Sequence, residues 1–176
     1  MSFNKRFQLA MVACVALLLA ACAQTYRVDV AAIENAELMN MAQQENKVFS
    51  SGQPTQEQLP ALAGAGIRHV ISLRPASELD WDEAAAVAAA GMQFHSIPVA
   101  GAGGVTNANA QTLESLLSEL DGQPVLVHCA SSNRVGALKA VSARNSGASV
   151  EDAIAEGRGW GLTGMEQAVR GILTTN

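Results

Sequence analysis

The chain is short of charge, of aromatic residues and of cysteine, and its charge balance and cysteine count each narrow what it can be. Lysine and arginine number 11 against 16 acidic residues, a net charge of −5. A surface of that sign repels phosphate backbones, so nucleic acid is excluded as a partner. The histidines at 69, 95 and 128 have no ligand spacing, so neither a metal nor any other cofactor is expected. No internal repeat is present. With 176 residues, 49% of them hydrophobic, the chain suits one globular domain with a real core and leaves no room for a two-domain enzyme.

What the chain does have begins at its amino end. Lys5 and Arg6 precede an unbroken apolar run over 9–21, too short for a comfortable membrane-spanning helix and followed by small residues. That pattern is a secretory signal, assigned to 1–21. The run ends in Leu19-Ala20-Ala21-Cys22, which resembles the lipobox of bacterial lipoproteins. The resemblance implies that Cys22 is lipidated and opens the mature protein, with an uncleaved anchor or a plainly secreted protein as the alternative. Each acyl methylene buried in a bilayer contributes about 0.8 kcal/mol, so several chains hold a domain at the membrane. By resemblance to Gram-negative lipoproteins, Ala23 favours the outer membrane, with the protein in the cell envelope facing the periplasm. Residues 22–46 read as a tether and lead-in, and 47–176 as the domain.

Cysteine arithmetic follows. Cys14 departs with the signal and Cys22 carries lipid, which leaves Cys129 as the one free thiol of the mature chain. An unpaired thiol outside the cytosol is a liability unless it is buried or used.

The domain alternates strands and helices. A short strand at 48–50 precedes the turn Gly52-Gln53-Pro54, and Thr55 with Gln58 has the form of a capping box before a helix ending at 64–66. A strand over 68–73 stops at Pro75, an alanine-rich helix covers 82–90, and a third strand is expected over 92–99. After the glycine-rich loop at 100–106 comes a helix with Leu113, Leu116, Leu117 and Leu120 inward. Val125-Leu126-Val127 is a continuous apolar run, as in a central strand buried on both faces, and three helices complete the chain. The fold class is therefore α/β, a four- to five-stranded mainly parallel sheet flanked by helices.

In such sheets ligands collect at the carboxyl edge of the strands, where His128 and Cys129 arrive. Ala130, Ser131, Ser132 and Asn133 are small or polar and lead into a helix opened by Arg134. Their amides and the helix dipole can make an anion cradle, and the same positive field favours a thiolate. The planar fork of Arg134 suits two oxygens of an oxyanion, each bond worth on the order of 1.5–3 kcal/mol. His128 either tunes the thiolate or is a core histidine bonded to a carbonyl. Arg74 and Glu78 read as a structural ion pair beside the site.

The run His128-Cys129 with Arg134 opening a helix resembles the signature of cysteine-dependent protein phosphatases. Ser51-Gly52-Gln53-Pro54 and Val70-Ile71-Ser72-Leu73-Arg74 are similar to the dual-specificity-like subgroup associated with beta-lactamase hydrolase-like proteins. The likeness covers about 48–169 and implies a cysteine-phosphatase-like fold. It implies Cys129 as nucleophile forming a thiophosphoryl intermediate, Arg134 as phosphate clamp, and the loop from Ala130 to Asn133 as the substrate-binding cradle. Phosphatases of this kind place five residues between cysteine and arginine, whereas this chain has four, a spacing that resembles rhodanese-type sulfurtransferases carrying a persulfide on the cysteine. Their general acid is an aspartate in the loop after the third strand, and the loop at 100–107 holds no carboxylate. Glu78, Asp80 or Asp82 remain as candidate acids, since a positioned acid contributes about 10²–10⁴ in rate. Three readings stand: a phosphatase, a sulfurtransferase, and an oxyanion-binding module without turnover. The expected partner is a phosphorylated or sulfur-containing substrate.

Overall fold

The computed structural model describes residues 26–175. The signal segment and the lipidation candidate Cys22 lie outside the described residues. Five strands form one sheet in the order β1-β2-β5-β3-β4: β1 (Ala42–Gln43), β2 (Val48–Ser51), β3 (His69–Ser72), β4 (Gln93–Ser96) and β5 (Val125–His128). β2, β5, β3 and β4 run parallel, and β1 pairs antiparallel with β2. The helices are α1 (Val30–Glu34), α2 (Leu59–Gly64), α3 (Glu83–Ala89), α4 (Asn107–Glu119), α5 (Asn133–Asn145), α6 (Val150–Gly159) and α7 (Glu166–Thr175). The α/β class with a mainly parallel sheet is thus observed.

Every residue of β5 is buried, as a strand with a helical layer on each face requires. One core face joins Ile71, Val125 and Val127 to α4, α5, α6 and α7; the other joins Val70 and Leu126 to Phe49, α2 and α3. Part of the 22–46 stretch belongs to the second core. Ile33 and Leu38 pack beside Phe49 and Leu62, and Asp29 caps α1 by accepting from the Ala32 N–H at 3.0 Å. The polar residues around these few apolar ones mask that packing in the sequence.

β4 is shorter than the expected 92–99. Pro98 has no N–H to give to a ladder, and the chain continues by single bonds from Ile97 N–H to Ser72 O (3.0 Å) and Val99 N–H to Leu73 O (3.0 Å). On α4, Ala110 and Leu113 are buried, whereas Leu116 and Leu117 are only partly so. The capping box at Thr55 appears as its return half, Thr55 N–H donating to Gln58 Oε1 at 2.8 Å, with α2 starting one residue later. α5 and α6 approach through glycine: a Cβ on Gly136 would stand 2.4 Å from both Gly157 O and Leu162 N. This contact brings residues 160–165 over the start of α5.

Candidate active site

β5 delivers Cys129 to the carboxyl edge of the sheet, and the next residues wrap into α5. Ser132 is the pivot, with φ of 65°, a left-handed conformation that a serine adopts only when its surroundings hold it. The hold is visible: Ser132 Oγ donates to Trp160 O at 2.9 Å, and Gly161 lies against the Ser132 side chain with no room for a Cβ. Asn133 Oδ1 accepts from Thr163 N–H (2.8 Å), Thr163 Oγ1 (3.2 Å) and Met165 N–H (3.2 Å), clamping the 160–165 loop to the cradle. The cradle carbonyls are also tied, Ala130 O to Gln53 N–H (3.3 Å) and Ser131 O to Asn40 Nδ2 (3.1 Å). A trans peptide holds its N–H opposite its carbonyl, so the Ser131 N–H points away from Gln53. The backbone N–H groups of Ala130, Ser131, Asn133 and Arg134 donate to no acceptor among the described residues.

Cys129 and Arg134, 1% and 7% exposed, line one cavity of about 300 Å³ with Glu78 and the cradle residues Ala130, Ser131 and Asn133. Gly101, Gly164 and Met165 complete its wall. The Arg134 fork is held from behind. Nη1 donates to Glu78 Oε1 (2.9 Å) and Val99 O (2.7 Å), and Nη2 donates to Glu78 Oε2 (2.7 Å). Three of five donors go to oxygen; the Nε–H and one Nη2–H have no oxygen acceptor among the described residues, and the Cys129 sulfur lies on the same cavity. The side-on edge of the guanidinium is therefore available for a second pair of oxygens. Hydrogen bonding from Arg134 holds Glu78 below the usual carboxylate range, opposed by partial burial and aided by Arg74. Burial works against the Arg134 charge, but Glu78 and the Cys129 sulfur raise its pKa above the ordinary value.

Behind the cysteine lies a second polar group. His128 is fully buried, with Nε2 3.1 Å from Oε1 of the buried Glu83, a close polar contact without the alignment of a hydrogen bond. Burial pushes Glu83 upward, yet His128, Gln53 and Ser72 outweigh it and hold the carboxyl below its usual range. Gln53 Nε2 donates to Glu83 Oε1, and Gln53 Oε1 accepts from Arg74 Nη1 at 3.0 Å.

The three candidate acids have different placements. Glu78 reaches the cavity, as the partner of Arg134 and of Arg74 Nε (3.3 Å). Asp82 Oδ1 caps α3 through the Ala85 N–H at 2.9 Å, and Asp80 makes no hydrogen bond among the described residues. Sequence reasoning missed Glu83, Gly101, Gly164 and Met165. An acid in the first turn of a helix is common for dipole reasons alone, so Glu83 gave no signal. Gln53 did, within Ser51-Gly52-Gln53-Pro54.

This fold, with a cysteine and an arginine facing one cavity at the carboxyl edge of a parallel sheet, defines the class: a cysteine-dependent phosphatase-like hydrolase of the dual-specificity and tyrosine phosphatase type. Residues 19–159 match the family described as a DSP-PTPase phosphatase fused to NAD+ kinase, and the chain belongs to that family. A Beta-lactamase hydrolase-like protein of Xylella fastidiosa (strain Temecula1) is 32% identical over 109 residues, 59% of this chain and 25% of that protein. The namesake from Agrobacterium fabrum is 31% identical over 111 residues, and the chain spans about a quarter of the length of these curated relatives. Among solved structures, a DUF442 phosphatase from Shewanella putrefaciens CN-32 is similar at 25% identity and TM-score 0.59, covering 81% of this chain and 97% of that one. Pseudomonas aeruginosa TpbA shares the fold at 19% identity and TM-score 0.60, over 88% and 92% of the two chains.

Proposed function

We propose that this protein hydrolyses phosphomonoesters through a thiophosphoryl intermediate on Cys129. The Cys129 thiolate attacks phosphorus, the S–P bond forms and the bond to the ester oxygen breaks. Water then attacks phosphorus, the S–P bond breaks, and inorganic phosphate leaves with the thiolate regenerated. Arg134 grips two phosphate oxygens through its side-on edge while Glu78 fixes the opposite edge, and the cradle amides take the remaining charge. The observation that carries this reading is the held Arg134 fork, with two donors still available, lining the same cavity as the free thiol.

Glu78, ionised against Arg134, is a positioning group for the clamp rather than a proton donor in this arrangement. Since the loop at 100–107 offers no carboxylate, the ester oxygen leaves most easily when it needs no proton. Aryl phosphates of the phosphotyrosine type are thus the favoured substrates. A Cys→Ser form of TpbA, which shares the fold, is in complex with phosphotyrosine. Leu19-Ala20-Ala21-Cys22 supports a further part of the proposal, that the domain works on a lipid tether at the periplasmic face of the envelope.

The test compares p-nitrophenyl phosphate with thiosulfate plus cyanide. Release of p-nitrophenol, abolished in Cys129→Ser while that variant still binds inorganic phosphate, is the expected result. Turnover of thiosulfate alone would overturn it in favour of sulfur transfer, and phosphate binding without turnover of either would leave an oxyanion-binding module.

A further inference from the structure

The chemistry above uses Cys129, Arg134 with its partner Glu78 and the amides between cysteine and arginine, and leaves unused the rest of a polar chain that runs behind the cavity. From Arg134 the contacts lead to the Glu78 carboxylate (2.9 and 2.7 Å), then to Arg74 Nε (3.3 Å), and from Arg74 Nη1 to Gln53 Oε1 (3.0 Å). Gln53 Nε2 donates to Glu83 Oε1, which stands 3.1 Å from His128 Nε2. His128 is the residue before Cys129. The two ends of this chain are therefore the two ends of the reactive segment.

Gln53 is the joint where the chain changes sign. It accepts from a guanidinium and donates to a carboxylate, and a carboxamide carries a donor and an acceptor on one planar group. A glutamate in its place would face Glu83 with a like charge, and an aliphatic side chain would break both contacts. Its backbone N–H also holds the cradle carbonyl of Ala130 at 3.3 Å. One residue, which lines no part of the cavity, thus meets the clamp end, the thiol end and the loop between them.

We propose that Gln53 is a positioning residue of this site, tying the direction of the Arg134 fork to that of the His128–Cys129 end. The proposal rests on the phosphatase reading. Its test uses the full chain carrying Gln53→Leu, Gln53→Glu or Glu83→Gln, with kcat on p-nitrophenyl phosphate, the inhibition constant of inorganic phosphate, and Tm. Both bonds of Gln53 go to charged partners, but they act on the phosphate only through the residues they position, so the loss of one is set at the typical net hydrogen-bond value, about fivefold. Each variant is expected to lower kcat about fivefold and to weaken phosphate inhibition about fivefold. Gln53→Leu combined with Glu83→Gln is expected to cost no more than the larger single change, because both break one chain. A packing role alone would lower Tm without moving the phosphate constant. Unaltered kcat and phosphate inhibition, or full additivity in the double variant, would refute the proposal while Cys129→Ser still abolishes activity. An inactive wild type would instead refute the phosphatase reading itself. If Gln53→Leu does not fold, Gln53→Glu and Glu83→Gln, each taken singly, carry the test with the same fivefold losses in kcat and phosphate inhibition required.

Discussion

Replacing Arg134 by lysine keeps the charge and removes the fork, which makes it the sharpest probe of the site. In the resting structure the guanidinium makes two bonds to Glu78 and one to Val99 O, and its side-on edge keeps two donors. A lysine ammonium is a single point with three donors and cannot serve Glu78 and a side-on phosphate at once. At least one charge-assisted bond to the phosphate is lost, about 1.5–3 kcal/mol, which is roughly 10- to 150-fold in kcat/KM. Arg134→Ala loses both bonds, about 3–6 kcal/mol, or on the order of 10²–10⁴-fold. The stability cost is smaller than the kinetic one, because the Glu78 side chain is 34% exposed and can return to water. Initial rates on p-nitrophenyl phosphate, with thermal unfolding as the fold control, measure the ratio. A folded Arg134→Lys protein within about twofold of wild type would refute the fork argument.

Other outcomes follow from the same geometry. Glu78→Gln keeps the shape but removes the charge behind Arg134, so KM should rise more than kcat falls, by about tenfold, read from Michaelis curves. Gly161 has φ of 96° and faces the Ser132 side chain, where a Cβ would lie 2.5 Å away, so Gly161→Ala should lower stability by about 1–3 kcal/mol in chemical denaturation and reduce turnover through the cradle. His95 has its pKa held below 6.5 by burial first and by His69, with Glu119 opposing. Between the two values the unfolded chain binds more protons, so this contribution is complete above about pH 6.5 and is lost as pH falls toward the folded value. Urea midpoints at pH 5 and pH 7.5 should show that loss, and His95→Gln should flatten it.

Much of the fold could be read from periodicity. Val125-Leu126-Val127 announced a strand buried on both faces, and the alternation of elements required parallel pairing. The exceptions have local causes: Pro98 cuts β4, and Ile33 and Leu38 anchor a stretch whose composition is polar. Cys129, Arg134 and the four residues between them stood out because they are contiguous. Glu83 did not, because it meets His128 across 45 positions of chain and the first turn of α3 welcomes any acid.

By itself, the order of residues determined the parallel sheet, the delivery of Cys129 to its carboxyl edge and a helix opening near Arg134, one residue after its observed start at Asn133, since these follow from burial patterns and backbone preferences over a few neighbours. Only the tertiary structure decided that Glu78 backs Arg134 instead of merely pairing with Arg74. Packing alone also decided that Ser132 is held left-handed by Trp160 and Gly161, and that Gln53 joins Glu83 to Arg74. Each of those contacts depends on directions and distances between elements far apart in the chain, which pairwise spacing does not encode.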